Sequence, residues 1–249
     1  MRLDKFLADM GAGSRREVAA DIRAGLVQAG TETVRRPEWQ VREDETVLWR
    51  GLTVRYRAKE YFMLHKPAGI LTATSDRHQE TVLDCMIPEN CAGEKLAFLR
   101  RDLFPVGRLD RDTEGLLLMT NDGELAHRLL SPKHQVDKVY EARLERPVGA
   151  EDARRFAEGL RVDETLTAMP AVLEILEDRH VLVTVREGKF HQVKRMFEAV
   201  GNRVLYLKRL SMGTLRLDSA LAPGTFRRLT DEELAALEQA GGREPAGQV

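Results

Sequence analysis

A chain of 249 residues, 43% hydrophobic and 32% charged with nine prolines, has the composition of a folded protein, which excludes a disordered one. The formal net charge of −1 excludes a protein that coats nucleic acid by bulk electrostatics. No apolar run approaches the roughly 20 residues of a membrane span, and the N-terminus MRLDKFLADM, with charges among its apolar residues, does not read as a secretory signal. Cys85 and Cys91 have no metal-ligand neighbours at the usual spacing and read as free thiols in a reducing cytoplasm.

Taken in chain order, Leu3, Phe6 and Leu7 stand at helical spacing before Gly11 and Gly13 break the pattern. Ser14-Arg15-Arg16-Glu17 has the form of a capping box, so a second helix starts there, with Val18 and Ile22 on its buried stripe and Gly25 placed to end it. Short strands are expected at Leu26–Gln28, Thr33–Val34, Trp39–Val41 and Thr46–Trp49. The polar Arg55–Lys59 reads as a linker, and Tyr61–Leu64 as a buried strand ending at the turn Lys66-Pro67-Ala68-Gly69. From Thr74 to Arg101 loops are expected, with a short helix near Val82–Met86. Leu116–Met119 suits a strand buried on both faces, Asp122 can cap a helix Glu124–Leu130, and Thr230-Asp231-Glu232-Glu233 opens a last helix through Gln239. Residues 241–249 are expected to fray.

Charge is unevenly spread. Val185 to Arg216 holds eight Lys or Arg against two Glu, a net of +6, while acids gather at Glu43 to Glu45 and Asp231 to Glu233. Such a stretch is either a phosphate-binding face or a solvated helix. Arg108, Asp110, Arg111 and Asp112 crowd just before the buried strand at Leu116. Charge concentrated there is either a structural ion-pair knot or a site. Asp110 and Asp112 as ligands of a catalytic metal are a rival reading, but no His or third acid follows at ligand spacing.

Two resemblances sharpen these expectations. RLDKFLADMGAGSRREVAADIRAGLV resembles the S4 RNA-binding module, and implies that Lys5, Arg15, Arg16 and Arg23 face RNA. The following hairpin departs from the module's frequent Asn-Gly, reading Ala29-Gly30-Thr31-Glu32. GRLDRDTEGLLLMTNDG (107–123), then LAHRLLSPKHQVDKVY and later EGKFHQVKRMFEAVG, resemble the RsuA branch of the pseudouridine synthases, in the same order. The fold this implies is α+β: an S4-like domain over residues 1–58, then over 59–240 a catalytic domain with a mixed, mainly antiparallel sheet and flanking helices.

The implied reaction is isomerisation of a uridine to pseudouridine, with no cofactor and no metal. The implied essential carboxylate is Asp110, acting as nucleophile at C1′ or base at C2′. Lys194 is the implied cation beside it, although the adjacent Arg195 could take that role. Tyr140 is the implied active-site tyrosine, and Arg108 the residue that fills the gap left by a flipped base. His191, Gln192 and Arg195 are expected on the RNA side. Asp112 reads as a structural partner for an arginine or for backbone amides, and Phe190 and Met196 as core. The branch points to 16S rRNA, met in an assembly intermediate by a cytoplasmic monomer away from membranes. The alternatives are a 23S rRNA substrate and a non-catalytic RNA-binding ribosome-assembly protein.

Overall fold

Ser14 starts its helix as the sequence requires: its backbone N–H donates to Glu17 Oε2 at 2.7 Å, and its Oγ accepts from the Glu17 N–H at 3.3 Å. The helix, α2 (Arg15–Arg23), packs on α1 (Leu3–Asp9) through Leu3, Phe6, Leu7, Val18 and Ile22, all buried. Beyond Ala24, Gly25 at φ +78° lets its own N–H reach the Ile22 carbonyl and the Leu26 N–H reach that of Asp21, satisfying the last carbonyls of α2. Four short antiparallel strands follow, β1 (Val27–Ala29), β2 (Glu32–Val34), β3 (Val47–Trp49) and β4 (Leu52–Val54), in sheet order β2-β1-β3-β4. Gly30, at φ +60°, is the first central residue of the two-residue β1–β2 turn and serves where the Asn-Gly pair is missing. Trp39–Val41 is not a strand; Gln40 makes only an isolated bridge to Arg2.

The computed structural model describes residues 1–42, 45–94, 96, 99–100, 102–164 and 166–240. The expected tail 241–249, and Glu43 and Asp44 of the acidic group, lie outside the described residues. The chain forms two units, one of Met1–Glu60 with Met86–Leu103, the other of Tyr61–Cys85 with the rest of the chain from Phe104. Within the first, a Cβ on Gly11, at φ +97°, would lie 1.9 Å from the Leu99 carbonyl oxygen, so only glycine fits there.

The second unit is built on β5 (Tyr61–Lys66), β6 (Phe104–Pro105), β7 (Glu114–Thr120), β8 (Lys138–Leu144), β9 (Leu160–Arg161), β10 (Thr167–Ala168), β11 (Val172–Glu177), β12 (His180–Val185), β13 (Val204–Met212), β14 (Leu215–Arg216) and β15 (Phe226–Arg228). The main sheet runs β11-β12-β8-β13-β7-β5-β15. Every pairing in it is antiparallel except β13 with β7, where only Lys208↔Glu114 and Arg209↔Gly115 pair, in parallel. This narrow junction divides the sheet into two halves. A Cβ on Gly115 would sit 2.3 Å from the Arg209 carbonyl oxygen, so the strands can meet there only because residue 115 is glycine.

Each half carries its own core. On the β8–β12 side, α5 (Ala150–Glu158) and α6 (Gln192–Ala199) bury Phe156, Met196 and Phe197 against Ala142, Val181 and Val183. On the β5–β7 side, α4 (Gly123–Leu130) and α7 (Asp231–Ala240) bury Leu125, Leu129 and Leu237 against Met63, Leu116 and Leu118. Asp122 caps α4, accepting from the N–H groups of Glu124 at 3.1 Å and Leu125 at 3.2 Å, and Thr230 with Glu233 opens α7. The helix expected near Val82–Met86 is α3 (Val82–Cys85).

Candidate active site

Asp110 lies in the loop that leads into β7, and residues 66–72 hold that loop. The Asp110 carbonyl accepts from the Thr113 N–H at 3.1 Å, closing a turn over residues 110–113. From the end of β5 come three ties. Thr72 Oγ1 donates to the Leu109 carbonyl at 2.7 Å, the Gly69 N–H donates to the Arg111 carbonyl at 2.7 Å, and Arg111 Nε donates to the Gly69 carbonyl at 2.9 Å. Lys66 completes the clamp. Its side chain is fully buried, and Nζ donates to the carbonyls of Pro67 at 3.0 Å, Arg111 at 3.2 Å and Thr113 at 2.9 Å. Three ammonium protons meet three carbonyls, and burial lowers the pKa of Lys66 to about 8 although the nearby Asp112, Cys85, Asp110 and Glu114 favour its charge. Lys66 and Thr72 were not anticipated as site residues. A lysine ending the apolar run Tyr61–Leu64 was the available signal, because a buried strand tolerates a cation only with partners.

The opposing cation comes from the other half-sheet. Lys194, in the first turn of α6, places Nζ 3.2 Å from Asp110 Oδ2 and 2.5 Å from Asp112 Oδ1. Asp110 is 24% exposed and Lys194 19%, so the pair is shielded yet open to a ligand. Burial opposes the Lys194 charge, but the hydrogen bonds and charges of Asp112 and Asp110 outweigh it and raise its pKa above the ordinary lysine value. Desolvation likewise opposes the Asp112 charge, and the hydrogen bond and charge of Lys194 override it, holding that carboxyl below its usual range. The ammonium sits between the two carboxylates, the place that the metal-site reading would give to a metal ion. Among the described residues no three His, Cys, Asp or Glu side chains are grouped to hold one.

His191 precedes α6 with φ +49° and ψ +30°, a left-handed backbone uncommon for a residue with a side chain and typical of functional positions. The turn brings Nε2 to 3.6 Å from Asp110 Oδ1. Arg195 points elsewhere, donating through Nε and Nη2 to Asp163, so Lys194 and not Arg195 is the cation beside Asp110.

The remaining expected residues divide. Arg108 is exposed and has no ion pair among the described residues. Arg15, Arg16 and Arg23 are exposed on α2, likewise without ion pairs among the described residues, whereas Lys5 pairs with Asp9 at 2.7 Å. Tyr140 is buried on β8, in one cluster with Leu109, and makes no hydrogen bond to Asp110 or Lys194 among the described residues.

Gln192, expected on the RNA side, is buried in this structure: its amide donates to Glu187 at 2.9 Å, and its carbonyl accepts from the Lys189 N–H at 3.0 Å. A polar side chain at that position is needed inside, to tie the loop into α6. Asp112 pairs with Lys194, not with an arginine or backbone amides alone. Phe190 is not core but 74% exposed, while Met196 is buried as expected.

The family model for RNA pseudouridylate synthase matches residues 60–199, and that for the S4 domain matches residues 1–47. A Bacillus subtilis protein named "Uncharacterized RNA pseudouridine synthase YtzG" is 46% identical over 244 residues, covering 96% of this chain and 99% of its own. The "Ribosomal small subunit pseudouridine synthase A" of Escherichia coli K12 is 41% identical over 239 residues, covering 95% of this chain and all of its own. Among solved structures, "Crystal structure of pseudouridylate synthase" is 36% identical with a TM-score of 0.64, covering 95% of this chain and 99% of that one.

Proposed function

Since the chain belongs to the pseudouridine synthase family, we propose that it converts one uridine of 16S rRNA to pseudouridine, with Asp110 as the catalytic carboxylate. The observation that carries the reading is Lys194 Nζ at 3.2 Å from Asp110 Oδ2, inside the two motifs that the family resemblance marks. The reaction breaks the N1–C1′ bond, turns the uracil and rejoins it through C5. It needs an ionised carboxylate at the sugar, as nucleophile at C1′ or base at C2′. The Lys194 ammonium, 3.2 Å from Asp110 Oδ2, sets an opposite charge against that carboxylate. The clamp of Lys66, Gly69 and Thr72 fixes the backbone from which Asp110 projects, so little reorganisation is required as substrate arrives.

The target base must leave its stack before the sugar can meet Asp110. Arg108, exposed two residues upstream, can fill the vacated place with its planar guanidinium. Tyr140 would pack against the base and take part in removing the C5 proton. Arg15, Arg16 and Arg23 supply the S4 unit's phosphate contacts, and His191 and Arg195 lie on the RNA side of the catalytic unit. The same reading places the protein in the cytoplasm as a monomer, acting on rRNA in an assembly intermediate. No described helix is long and apolar enough to cross a membrane. The small-subunit substrate is supported by the relatives named for that subunit, at 39–42% identity over nearly the whole chain.

The test is to incubate the purified protein with transcribed 16S and 23S rRNA, free and bound to subsets of ribosomal proteins, and to map pseudouridine by carbodiimide modification and reverse-transcription stops. One new stop in 16S rRNA is expected. A stop confined to 23S rRNA would keep the chemistry and overturn the substrate; none in either RNA, with binding intact, would favour a non-catalytic role.

A further inference from the structure

Phe190 is more exposed than any other large apolar side chain among the described residues. A scattered apolar residue on a surface is ordinary, but the setting of this one is not. Its ring stacks on His191, with centroids 3.8 Å apart and planes inclined by 18°. The His191 side chain that it covers is the one whose Nε2 lies 3.6 Å from Asp110. The aromatic face is therefore one stacking step from the side chain beside the reactive carboxylate.

The loop that presents Phe190 is tied down at each other point. Lys189 Nζ donates to the Thr167 carbonyl at 3.1 Å and pairs with Glu187 at 3.1 Å. Gln192 bridges the Lys189 N–H and Glu187, and Arg195 Nη1 donates to the Phe190 carbonyl at 3.3 Å. The left-handed backbone at His191 turns that ring toward Asp110. Polar side chains of the loop are spent on internal bonds, and the one large apolar ring is held outward on a rigid base. That is the reverse of what desolvation would select in a protein with no partner at this place. A rigid planar ring beside cations suits a nucleobase, because every base has a π-face and stacks on aromatic side chains with little regard to sequence.

We propose that the Phe190–His191 stack is a platform for an unpaired base of the RNA adjoining the uridine in the site, so that Phe190 sets substrate affinity and the placing of the strand. The inference rests on the RNA-modifying function given above. It makes Phe190 a binding residue, with no part in bond making or breaking.

The test compares wild type with Phe190→Ala, Phe190→Leu and Phe190→Trp, and with Leu205→Ala as control for loss of another exposed apolar side chain. Each is measured for thermal midpoint, for Kd toward transcribed 16S rRNA, and for kcat and KM of pseudouridine formation. The alanine and leucine variants should bind roughly 5- to 150-fold more weakly, the range that one base–aromatic stack is worth. KM should rise with kcat little changed and the thermal midpoint unmoved, and tryptophan should restore affinity. Indole fluorescence of Phe190→Trp should fall on adding RNA by more than that of wild type, which carries only Trp39 and Trp49. Binding and KM unchanged in Phe190→Ala, or leucine as good as tryptophan, would overturn the proposal. If wild type forms no pseudouridine the functional reading fails, yet the binding and fluorescence arms still decide whether Phe190 stacks on RNA.

Discussion

At the scale of single residues, two cations adjacent in sequence have been given different work. Lys194 faces Asp110 and Asp112, whereas Arg195, one residue on and turned by the helix, faces Asp163. A lysine presents a compact charge that fits between two carboxylates, and an arginine presents a fork that suits the two donors directed at Asp163. Lys194→Ala should lower the single-turnover rate of pseudouridine formation by about 100-fold or more, the usual cost of removing a preorganised charge partner. Arg195→Ala should lower it far less, with its effect read in KM. Equal losses in the two variants would contradict this division. Sequence alone left Lys194 and Arg195 as alternatives, because their separation by one position fixes direction only after the start of α6 is known. Phe190 shows the complementary difficulty: apolar residues usually go inside, and nothing in the string GKFHQ reveals that His191 adopts a left-handed backbone.

At the scale of elements, the end of β5 and the loop before β7 act as one piece through Lys66. Its folded pKa, about 8, lies below the ordinary lysine value of 10.5, so between those values the unfolded chain holds a proton that the folded chain has released. The desolvation penalty is therefore present in full below about pH 8 and relieved as pH rises toward 10.5. Urea midpoints of wild type and Lys66→Met, compared from pH 7.5 to 10, should diverge in favour of wild type as pH increases. Parallel curves would mean that Lys66 keeps its proton through its three carbonyl partners.

Helix starts were legible because their chemistry is local: Ser14 with Glu17, Asp122, and Thr230 with Glu233 each cap the helix expected of them. The strand β4 was not, since Arg50-Gly51 makes its turn with φ of +50° and +80°, and arginine is a poor signal for a left-handed turn residue. The parallel junction of β7 with β13 was equally hidden, depending on a glycine at 115 that meets a strand some 94 residues away, by the separation of Gly115 and Arg209.

At the scale of the whole molecule, charge along the chain proved a poor guide to charge in space. Of the eight cations between Val185 and Arg216, Arg186 pairs with Asp137, Lys189 with Glu187, Arg203 with Glu145 and Lys208 with Glu114, besides Lys194 and Arg195 already described. Arg209 is buried, donating to the Leu116 carbonyl. The stretch that reads as net +6 is thus largely neutralised by acids brought from elsewhere in the sequence. Cations without ion pairs among the described residues include Arg15, Arg16, Arg23 and Arg108, and these are better placed to meet phosphate. Charge reversal of Arg15 and Arg16 to Glu should weaken RNA binding, flatten its dependence on salt and leave kcat unchanged. Each lost phosphate contact removes roughly 0.7–0.9 from the slope of log K against log salt. An unchanged slope would show that the α2 face does not touch RNA.

In the proposed function the Asp110 carboxylate performs the chemistry while binding rests on other groups. Asp110→Asn is close in size and keeps an acceptor for Lys194, so it removes the charge with little disturbance of shape. The deciding measurement follows pseudouridine formation in 16S rRNA by the wild type and this variant under single-turnover conditions, alongside the Kd of each for the same RNA. The expected result is no detectable product from the variant, with affinity within a few-fold of wild type. Product formed by Asp110→Asn at a rate near that of wild type would contradict a catalytic role for the Asp110 carboxylate.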